Sequence, residues 1–259
     1  MSAKLPVPVS QDRAGWPKIS VIIPAFNEEA YIGRTIESLR AAAAHFESLG
    51  GPAVELLVVD NASTDDTATV AARLGARVVS EGEHNISKVR NAGARAAAHE
   101  ILVFIDADTL VPRELFVRIA GAMREGACEG GAVDVAFRPE RLAVRMYLAF
   151  CRVVGAIAGM AMGACQFCRR DVFDALGGYD ERIYMAEDVD FMWRLRAAAR
   201  RRGSMTHFIR DLQVIASSRR FDRWPLWRTV IMTHPLVILA FHRRKSAWRG
   251  WYERTEAPR

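Results

Sequence analysis

The sequence lacks the features that mark disulfide-rich, membrane-spanning or disordered chains. It has only four cysteines in 259 residues, and all four lie in apolar or Gly/Ala-rich stretches, as reduced intracellular thiols usually do. No apolar run reaches the roughly 20 residues that a membrane-spanning helix needs, and no low-complexity tract interrupts the chain. With 51% hydrophobic and 25% charged residues, the composition predicts one compact globular protein.

A secretory signal is also missing, because no apolar segment follows a basic start. Residues 1–17 are polar and contain proline, so we predict a flexible N-terminal segment and a cytoplasmic protein. Cys165 and Cys168 form one C-x-x-C pair. Because no second ligand pair stands at a matching spacing, the pair favours packing thiols over a zinc site or a redox site.

The excess positive charge lies at the C-terminal end. Residues 219–259 contain ten Lys or Arg against three Asp or Glu, and four of the six tryptophans: Trp224, Trp227, Trp248 and Trp251. Segments that lie on anionic membranes have this composition. We therefore predict that residues 219–259 make peripheral contact with the inner face of the cytoplasmic membrane. A C-terminal helix that packs on the domain stays open as the alternative. The sequence has no nucleic-acid recognition motif and no signal of oligomeric state.

Apolar runs alternate with helical periods along the first half of the chain. This alternation predicts strands at 18–26, 54–60, 76–80 and 100–108, with helices within 27–49 and at 67–75, 86–98 and 112–123. The pattern after residue 130 is less regular and predicts strands at 130–138 and 161–169 and helices at 141–159 and 187–201. The predicted fold is α/β, with a Rossmann-like, mostly parallel sheet covered by helices on both faces and a C-terminal amphipathic helical extension. Ligands bind such sheets at the carboxyl ends of the strands.

Carboxylates follow two of the predicted strands at those ends. Asp60 follows one strand, and Asp106 and Asp108 follow another. Residues i and i+2 of an extended segment project to the same side, so Asp106 and Asp108 can converge on one cation. Hard oxygen ligands suit Mg²⁺ or Mn²⁺, which complete their shells with water and phosphate oxygens. The alternative is that these aspartates only cap turns and helices.

The first strand ends in PAFNEE, which offers a rigid turn, an aromatic face and a carboxylate. Pro24 and Phe26 can hold a flat nucleobase, and Glu28 can accept hydrogen bonds from ribose hydroxyls. Asp60 can accept from a uracil imide or a sugar hydroxyl. Arg90 lies near a predicted helix N-terminus, where anions bind favourably; an exposed basic helix face is the open alternative.

Five segments together resemble the motifs of the family 2 glycosyltransferases: SVIIPAFNEE, VVDNASTDDT, RNAGA, FIDADT and GGYDE…EDVDF. They occur in the family's order between about Lys18 and Trp193. The resemblance implies a GT-A fold, a nucleotide diphosphate sugar donor, a Mn²⁺ or Mg²⁺ ion and inversion at the anomeric carbon. Where Phe26 stands, family members often have tyrosine, so a hydroxyl is missing and the stacking face remains.

The resemblance also implies a role for individual residues. Asp188 matches the catalytic base that takes the acceptor proton, and Asp106 and Asp108 match the metal-binding D-x-D. The nucleotide site is expected to comprise Pro24, Ala25, Phe26, Glu28, Asp60, Arg90 and Asp106, and the sugar or acceptor site Asn91, Ala164 and Glu187. Caps and charge balance at the start of the helix at 187–201 are the alternative for the two acidic residues there.

We therefore predict transfer of a sugar from a UDP-sugar, and less readily from a GDP-sugar, to a lipid-linked or polysaccharide acceptor. The catalytic domain is expected at 18–218, with a nucleotide-binding part at 18–110, an acceptor part at 111–218 and an extension at 219–259. FMWRLR is not the Q-x-x-R-W motif of processive synthases, which favours single additions. Two alternatives remain: a haloacid-dehalogenase-type phosphatase with Asp106 as nucleophile, and a catalytically silent nucleotide-binding or membrane-docking module.

Overall fold

A computed structural model of the protein describes residues 15–124, 128–157, 163–244 and 246. Most of the predicted N-terminal segment, and Trp248 and Trp251 of the predicted extension, lie outside these ranges. The strands are β1 Ile19–Ala25, β2 Glu55–Asp60, β3 Arg77–Ser80, β4 Ile101–Ile105, β5 Thr109–Leu110, β6 Cys128–Phe137, β7 Cys165–Arg169 and β8 Met205–Ala216. The helices are α1 Glu29–Ser48, α2 Thr67–Arg73, α3 Ile86–Ala96, α4 Leu115–Arg124, α5 Leu142–Ile157, α6 Arg170–Ala175, α7 Glu187–Arg201, α8 Arg219–Arg223, α9 Leu226–Thr233 and α10 Pro235–Phe241.

All eight strands form one sheet in the order β3-β2-β1-β4-β7-β6-β8-β5. The first four are parallel, as the alternating pattern predicted. β7 runs antiparallel to both β4 and β6, and β6 pairs in parallel with β8. The sheet therefore continues across the predicted division at residue 110, from the nucleotide-binding part into the acceptor part.

Helices cover both faces of the sheet, as predicted. Alternate residues of β1 belong to different cores, because Val21 and Ile23 pack under α1 and α4 while Ile22 packs with Val59 and Val89 on the opposite face. A strand buried on both faces is apolar at nearly every position. All seven residues of β1 are buried, and its one polar side chain, Ser20, donates a hydrogen bond to Glu55 at 2.6 Å. Each large aliphatic side chain buried this way contributes about 1.5–3 kcal/mol. These cores fix the positions of the strand ends.

The sequence pattern missed β5, α6 and β8. β5 pairs antiparallel with the end of β8, with Thr109 opposite Ala216 and Leu110 opposite Ile215. This pairing brings the residues that follow β8 next to Asp108. The extension then continues as three short helices, because Pro225 and Pro235 each stand at a break where a continuing helix would need a backbone N–H.

Cys165 and Cys168 are free and buried within β7, which confirms the prediction of packing thiols. Burial raises the pKa of both thiols, so neither has the thiolate character of a reactive cysteine. Among the residues that the structure describes, no helix combines the length and the apolar composition needed to cross a membrane.

Candidate active site

A cavity of about 440 Å³ opens at the carboxyl ends of β1 and β4. It is lined by the end of β1, the segment after β4, α3, the start of α7 and the segment that follows β8, with further residues from β6, α9, α10 and the segments next to β2 and β7. The structure gathers ten of the twelve predicted site residues at this cavity: Pro24, Ala25, Phe26, Glu28, Arg90, Asp106, Asp108, Ala164, Glu187 and Asp188. Asp60 and Asn91 are not among the lining residues.

Arg90 connects three of these regions. Its buried guanidinium donates to Glu187 Oε1 at 2.5 Å and to Asp106 Oδ1 at 3.0 Å, and lies 5.2 Å from the ring centroid of Tyr179. Burial alone disfavours the charge, but the carboxylates of Glu187 and Asp106 more than offset it and raise the pKa of Arg90. Arg90 is therefore a fixed positive charge between β4 and α7 rather than part of an exposed basic helix face.

Asp106 and Asp108 belong to a tight turn and not to the extended segment that the prediction assumed. The backbone N–H of Thr109 donates to the Asp106 carbonyl at 3.1 Å, and the buried Thr35 hydroxyl donates to the Ala107 carbonyl at 2.8 Å. The turn still directs both carboxylates to the cavity. The prediction that residues 106–108 are extended was therefore wrong, although both side chains reach the same place.

The two aspartates are suitable ligands for a divalent cation. The Asp106 side chain is 38% exposed and the Asp108 side chain 20% exposed. Burial raises the pKa of Asp108 to about 7, and the neighbouring Arg219 opposes the shift. In the described ranges, His, Cys, Asp and Glu side chains form no group of three or more that could hold a metal. Such a pair fits an ion that binds one or two protein carboxylates and takes its other ligands from water and phosphate.

Asp188 has the environment expected of a general base. Burial raises its pKa to about 7; the charge of Glu187 adds to the shift and that of Arg90 opposes it. Oδ1 accepts from the backbone N–H of Val189 at 2.9 Å, and the carboxylate packs against Gly163, where an added Cβ atom would lie 2.5 Å from Oδ2. A carboxylate with a pKa near neutral pH can take up a proton during turnover.

Two arginines from α8 complete the cavity, and the sequence analysis did not identify them as site residues. Arg219 pairs with Glu28, lies 3.3 Å from Asp108 Oδ2, and covers the Tyr31 ring at 4.4 Å. Arg220 also lines the cavity, and burial lowers its pKa. The available signal was the basic Ser-Ser-Arg-Arg run at 217–220, but only the pairing of β5 with β8 places it against the D-x-D turn.

The PAFNEE and DNASTDD segments form one connected loop pair. Asn27 Oδ1 accepts from the Thr64 backbone N–H at 2.8 Å, and Thr67 Oγ1 accepts from the Glu28 backbone N–H at 2.7 Å. Asn27, beside Glu28, has a left-handed φ of 53°, a conformation in which asparagine is tolerated. The polar residues around Asp60 therefore support the turn that presents Glu28.

Phe26 lies beside the His84 ring, with centroids 4.5 Å apart. Near this edge, Asp60 Oδ1 is buried without a hydrogen-bond partner among the described residues. Asn91 has a different environment: its amide binds Glu181 and the backbone of Tyr179 at 2.9–3.0 Å. Asn91 therefore holds the 179–181 loop in place below the cavity.

Comparison with known proteins assigns the central part of the chain to a family. Residues 20–177 match the family model described as Glycosyl transferase family 2. A curated relative, glucosyl-3-phosphoglycerate synthase of Mycobacterium tuberculosis, is 35% identical over 133 residues, which cover 44% of this chain and 39% of the relative. The chain thus spans about two fifths of the length of that relative.

Solved structures share the fold. A mannosyltransferase from Pyrobaculum calidifontis in complex with GDP-Man and Mn²⁺ matches 82% of this chain and 60% of its own, with a TM-score of 0.61 and 23% identity. The Mycobacterium tuberculosis glucosyl-3-phosphoglycerate synthase in complex with Mn²⁺ and UDP-glucose matches 93% of this chain and 84% of its own, with a TM-score of 0.57 and 21% identity. The predicted GT-A fold is confirmed by these likenesses.

Proposed function

Because the chain belongs to glycosyl transferase family 2, we propose that it transfers one sugar from a nucleotide diphosphate sugar to an acceptor hydroxyl. A UDP-sugar is the favoured donor and a GDP-sugar the second choice. The observation that carries the proposal is the single cavity in which the D-x-D carboxylates, a raised-pKa aspartate and three arginines meet. Single additions remain the expectation from the sequence.

The nucleoside is proposed to bind at the end of β1. Phe26 offers a ring face to the base, and Glu28 a carboxylate to the ribose. Asp60 Oδ1, buried and without a partner among the described residues, can accept the imide N–H of uracil, because a buried acceptor gains most when a donor reaches it. This proposed contact with uracil is the reason why a UDP-sugar is favoured over a GDP-sugar.

The diphosphate is proposed to lie between the D-x-D turn and the arginines. Asp106 and Asp108 would hold a Mn²⁺ or Mg²⁺ ion, which neutralises charge that develops on the leaving diphosphate. Arg90, Arg219 and Arg220 line the same cavity and bring positive charge to the leaving group. Their burial strengthens this interaction, because it takes place at a lower dielectric than in water.

Asp188 is proposed to act as the base. Its carboxylate takes the proton of the acceptor hydroxyl while that oxygen attacks the anomeric carbon. The bond from the anomeric carbon to the diphosphate oxygen breaks, and the nucleoside diphosphate leaves with the electron pair. One displacement on the face opposite the leaving group inverts the configuration, so inversion is the expected outcome.

We assign the acceptor to the part of the cavity whose lining is mostly apolar. Phe137, Phe221 and Ile238 line it together with Met185 and Thr233. This lining favours a lipid-linked acceptor over a polysaccharide, because apolar side chains offer few hydrogen bonds to a hydroxyl-rich chain. The name of the mycobacterial relative indicates a small phosphorylated acceptor for that protein, and so phosphoglycerate belongs in the acceptor panel.

The phosphatase alternative needs Asp106 as a nucleophile. Asp106 instead accepts from the buried Arg90 within a turn that also presents Asp108, and the family match includes the whole of this turn. A silent binding module would have no use for the raised pKa of Asp188. The transferase assignment explains every observation that could be used to support either alternative.

The deciding experiment is a panel of UDP-, GDP- and dTDP-sugars with and without Mn²⁺, scored for release of the nucleoside diphosphate. We expect metal-dependent release from one donor, loss of metal-dependent donor binding in Asp108→Ala, and kept binding with lost turnover in Asp188→Asn. Cleavage of a phosphomonoester that depends on Asp106, without donor binding, would establish the phosphatase instead. Donor binding with equal turnover in the wild type and Asp188→Asn would refute the assigned base.

A further inference from the structure

We propose that the outer face of α5, together with the neighbouring α9, is a docking surface for an anionic phospholipid bilayer. α5 lies outside the basic C-terminal extension from which the sequence predicted membrane contact, whereas α9 belongs to that extension. The proposal concerns a binding surface and does not depend on which sugar or acceptor the enzyme uses.

An apolar strip runs along the exposed side of α5. Leu142, Met146, Phe150 and Val153 are 67%, 66%, 64% and 60% exposed. Their spacing of four, four and three residues places them on one side of a helix, within an arc of roughly 100°. The opposite side holds the fully buried Val144. When a helix is apolar on its solvent side as well as on its packed side, the exposed apolar patch marks an interaction site.

α9 lies beside α5 and extends the exposed apolar surface. Tyr147 Oη and Thr233 Oγ1 are 2.7 Å apart, and Arg141 donates to the Trp224 carbonyl at 2.9 Å. On α9, Trp227 is 65% exposed and Ile231, one turn on, is 47% exposed. Tryptophan is enriched at the level of lipid headgroups, where its ring is half apolar and half polar.

Arginines flank the strip, and their charge identifies the partner. Residues 138–157 contain four arginines and a single acidic residue, Glu140. Arg145 is exposed next to the strip, and Arg223 is exposed on the adjoining α8. Anionic headgroups attract such arginines while the acyl region accepts the apolar strip. A second copy of the chain would instead bring the same arginines together in a self-complementary contact.

The surface borders the mouth of the proposed active site. Thr233 of α9 is hydrogen-bonded to Tyr147 of α5 and also lines the cavity. Phe137, the last residue of β6 before α5, lines the cavity as well. Docking on this face would hold the apolar side of the cavity close to the bilayer. An acceptor hydroxyl carried by a lipid would then reach Asp188 without leaving the membrane surface.

The test is sedimentation of the full chain with phosphatidylcholine vesicles that contain or lack phosphatidylglycerol. We expect pelleting with the anionic vesicles, loss of pelleting at high salt, and about tenfold weaker binding for the double variant Met146→Ser/Phe150→Ser. Neutral serines remove apolar area without adding charge. Arg145→Gln tests the charge separately and should weaken binding to anionic vesicles only.

Met205→Ser is the matched control, because Met205 is also exposed, at 59%. Met205 lies at the start of β8, at the end of the strand that is distant from α5. The other end of β8 pairs with Phe137, which precedes α5 in the chain. Thermal unfolding and binding of the nucleoside diphosphate, measured on the same samples, show that each variant is folded. Those measurements also separate this surface from the proposed activity, since vesicle binding needs no donor and donor binding needs no vesicle.

Equal pelleting of the wild type and Met146→Ser/Phe150→Ser would overturn the proposal and assign any vesicle binding to another segment. An equal loss in Met205→Ser would overturn it as well. A wild-type dimer that does not pellet, and that the double serine variant turns into a monomer, would show that a second copy of the chain covers α5 instead.

Discussion

Nη2 of Arg219 lies 3.3 Å from Oδ2 of Asp108, so the chain places its own cation beside a carboxylate proposed to bind a metal. The same guanidinium pairs with Glu28. Burial acts against the charge of Arg219, but its hydrogen bond to Glu28 and the two carboxylate charges raise its pKa. Arg219 is therefore charged at any working pH, and a metal ion that binds Asp108 has to compete with it.

At a pH well above the raised pKa of Asp108, we expect Arg219→Ala to bind Mn²⁺ more tightly than the wild type when no donor is present, by about three- to tenfold, as for the loss of one partly buried ion pair. Electron paramagnetic resonance of free Mn²⁺ measures this affinity. Arg219→Lys keeps the positive charge and should stay near the wild type. An unchanged affinity in Arg219→Ala would show that Arg219 and the metal do not compete at Asp108.

The pH dependence of turnover should follow Asp188. Burial, then the charge of Glu187, raises the pKa of Asp188 to about 7. A base works only when deprotonated, so kcat/KM should rise as the pH increases and level off above about pH 7. A flat profile between about pH 5.5 and 8.5 would contradict this assignment.

The same shift predicts how Asp188 affects stability. Between the ordinary aspartate pKa of 3.8 and the raised value of about 7, the folded protein holds a proton that the unfolded chain releases. Stability therefore falls as the pH rises through this window. We expect Asp188→Asn to raise the free energy of unfolding by on the order of 2 kcal/mol at pH 8.

Urea unfolding of the wild type and Asp188→Asn at several pH values measures this effect. Near pH 4 the carboxyl is protonated in the folded state and about two fifths protonated in the unfolded state, so most of the difference in stability between the two proteins should be gone. A gain in stability that is the same at pH 4 and pH 8 would point to packing and not to the buried charge.

Gly163 is expected to accept no side chain. A Cβ atom there would lie 2.5 Å from Asp188 Oδ2 and 2.6 Å from the Asp188 Cβ, so Gly163→Ala has to move the proposed base. Misplacement of a catalytic group by about 1 Å can cost on the order of a hundredfold in rate, and we expect a loss of that size in kcat with little change in KM for the donor.

Gly121→Ala is the matched control, because an added Cβ there meets no atom within 4 Å. Gly121 lies inside α4, where alanine should stabilise the helix by about 0.5–1 kcal/mol. Full activity in Gly163→Ala would mean that Asp188 does not need its present position. A parallel loss in Gly121→Ala would point to a general effect of added methyl groups.

Arg90 is expected to be irreplaceable by lysine. Its guanidinium bonds to Glu187 and Asp106 at once, and a single ammonium group cannot reproduce this fork. We expect Arg90→Lys to lower the free energy of unfolding by about 1–3 kcal/mol and to weaken donor binding. Arg95→Lys, on the exposed end of the same helix, should leave both properties unchanged.

The first four parallel strands and the helices between them were predictable from the sequence. Strands buried on both faces need continuous apolar runs, and their helices need the 3.6-residue period, so the pattern of residues 18–123 allows few other folds. The same regularity predicted that the strand ends carry the site. Six of the ten predicted residues that line the cavity lie at or after the ends of β1 and β4, because the carboxyl ends of parallel strands meet at one edge of the sheet. The other four are Arg90, Ala164, Glu187 and Asp188, which come from α3, the segment before β7 and the start of α7.

Only the tertiary structure decided the rest. β5 has two residues and gives no periodic signal, yet its pairing with β8 carries Arg219 to Asp108. Exposure on α5 cannot be predicted from sequence either, since a buried helix and a membrane-facing helix are both apolar. The sequence by itself determined which residues are apolar and where polar groups end the strands. Long-range pairing decided which charges meet, because contacts between distant residues depend on the packing of the whole sheet.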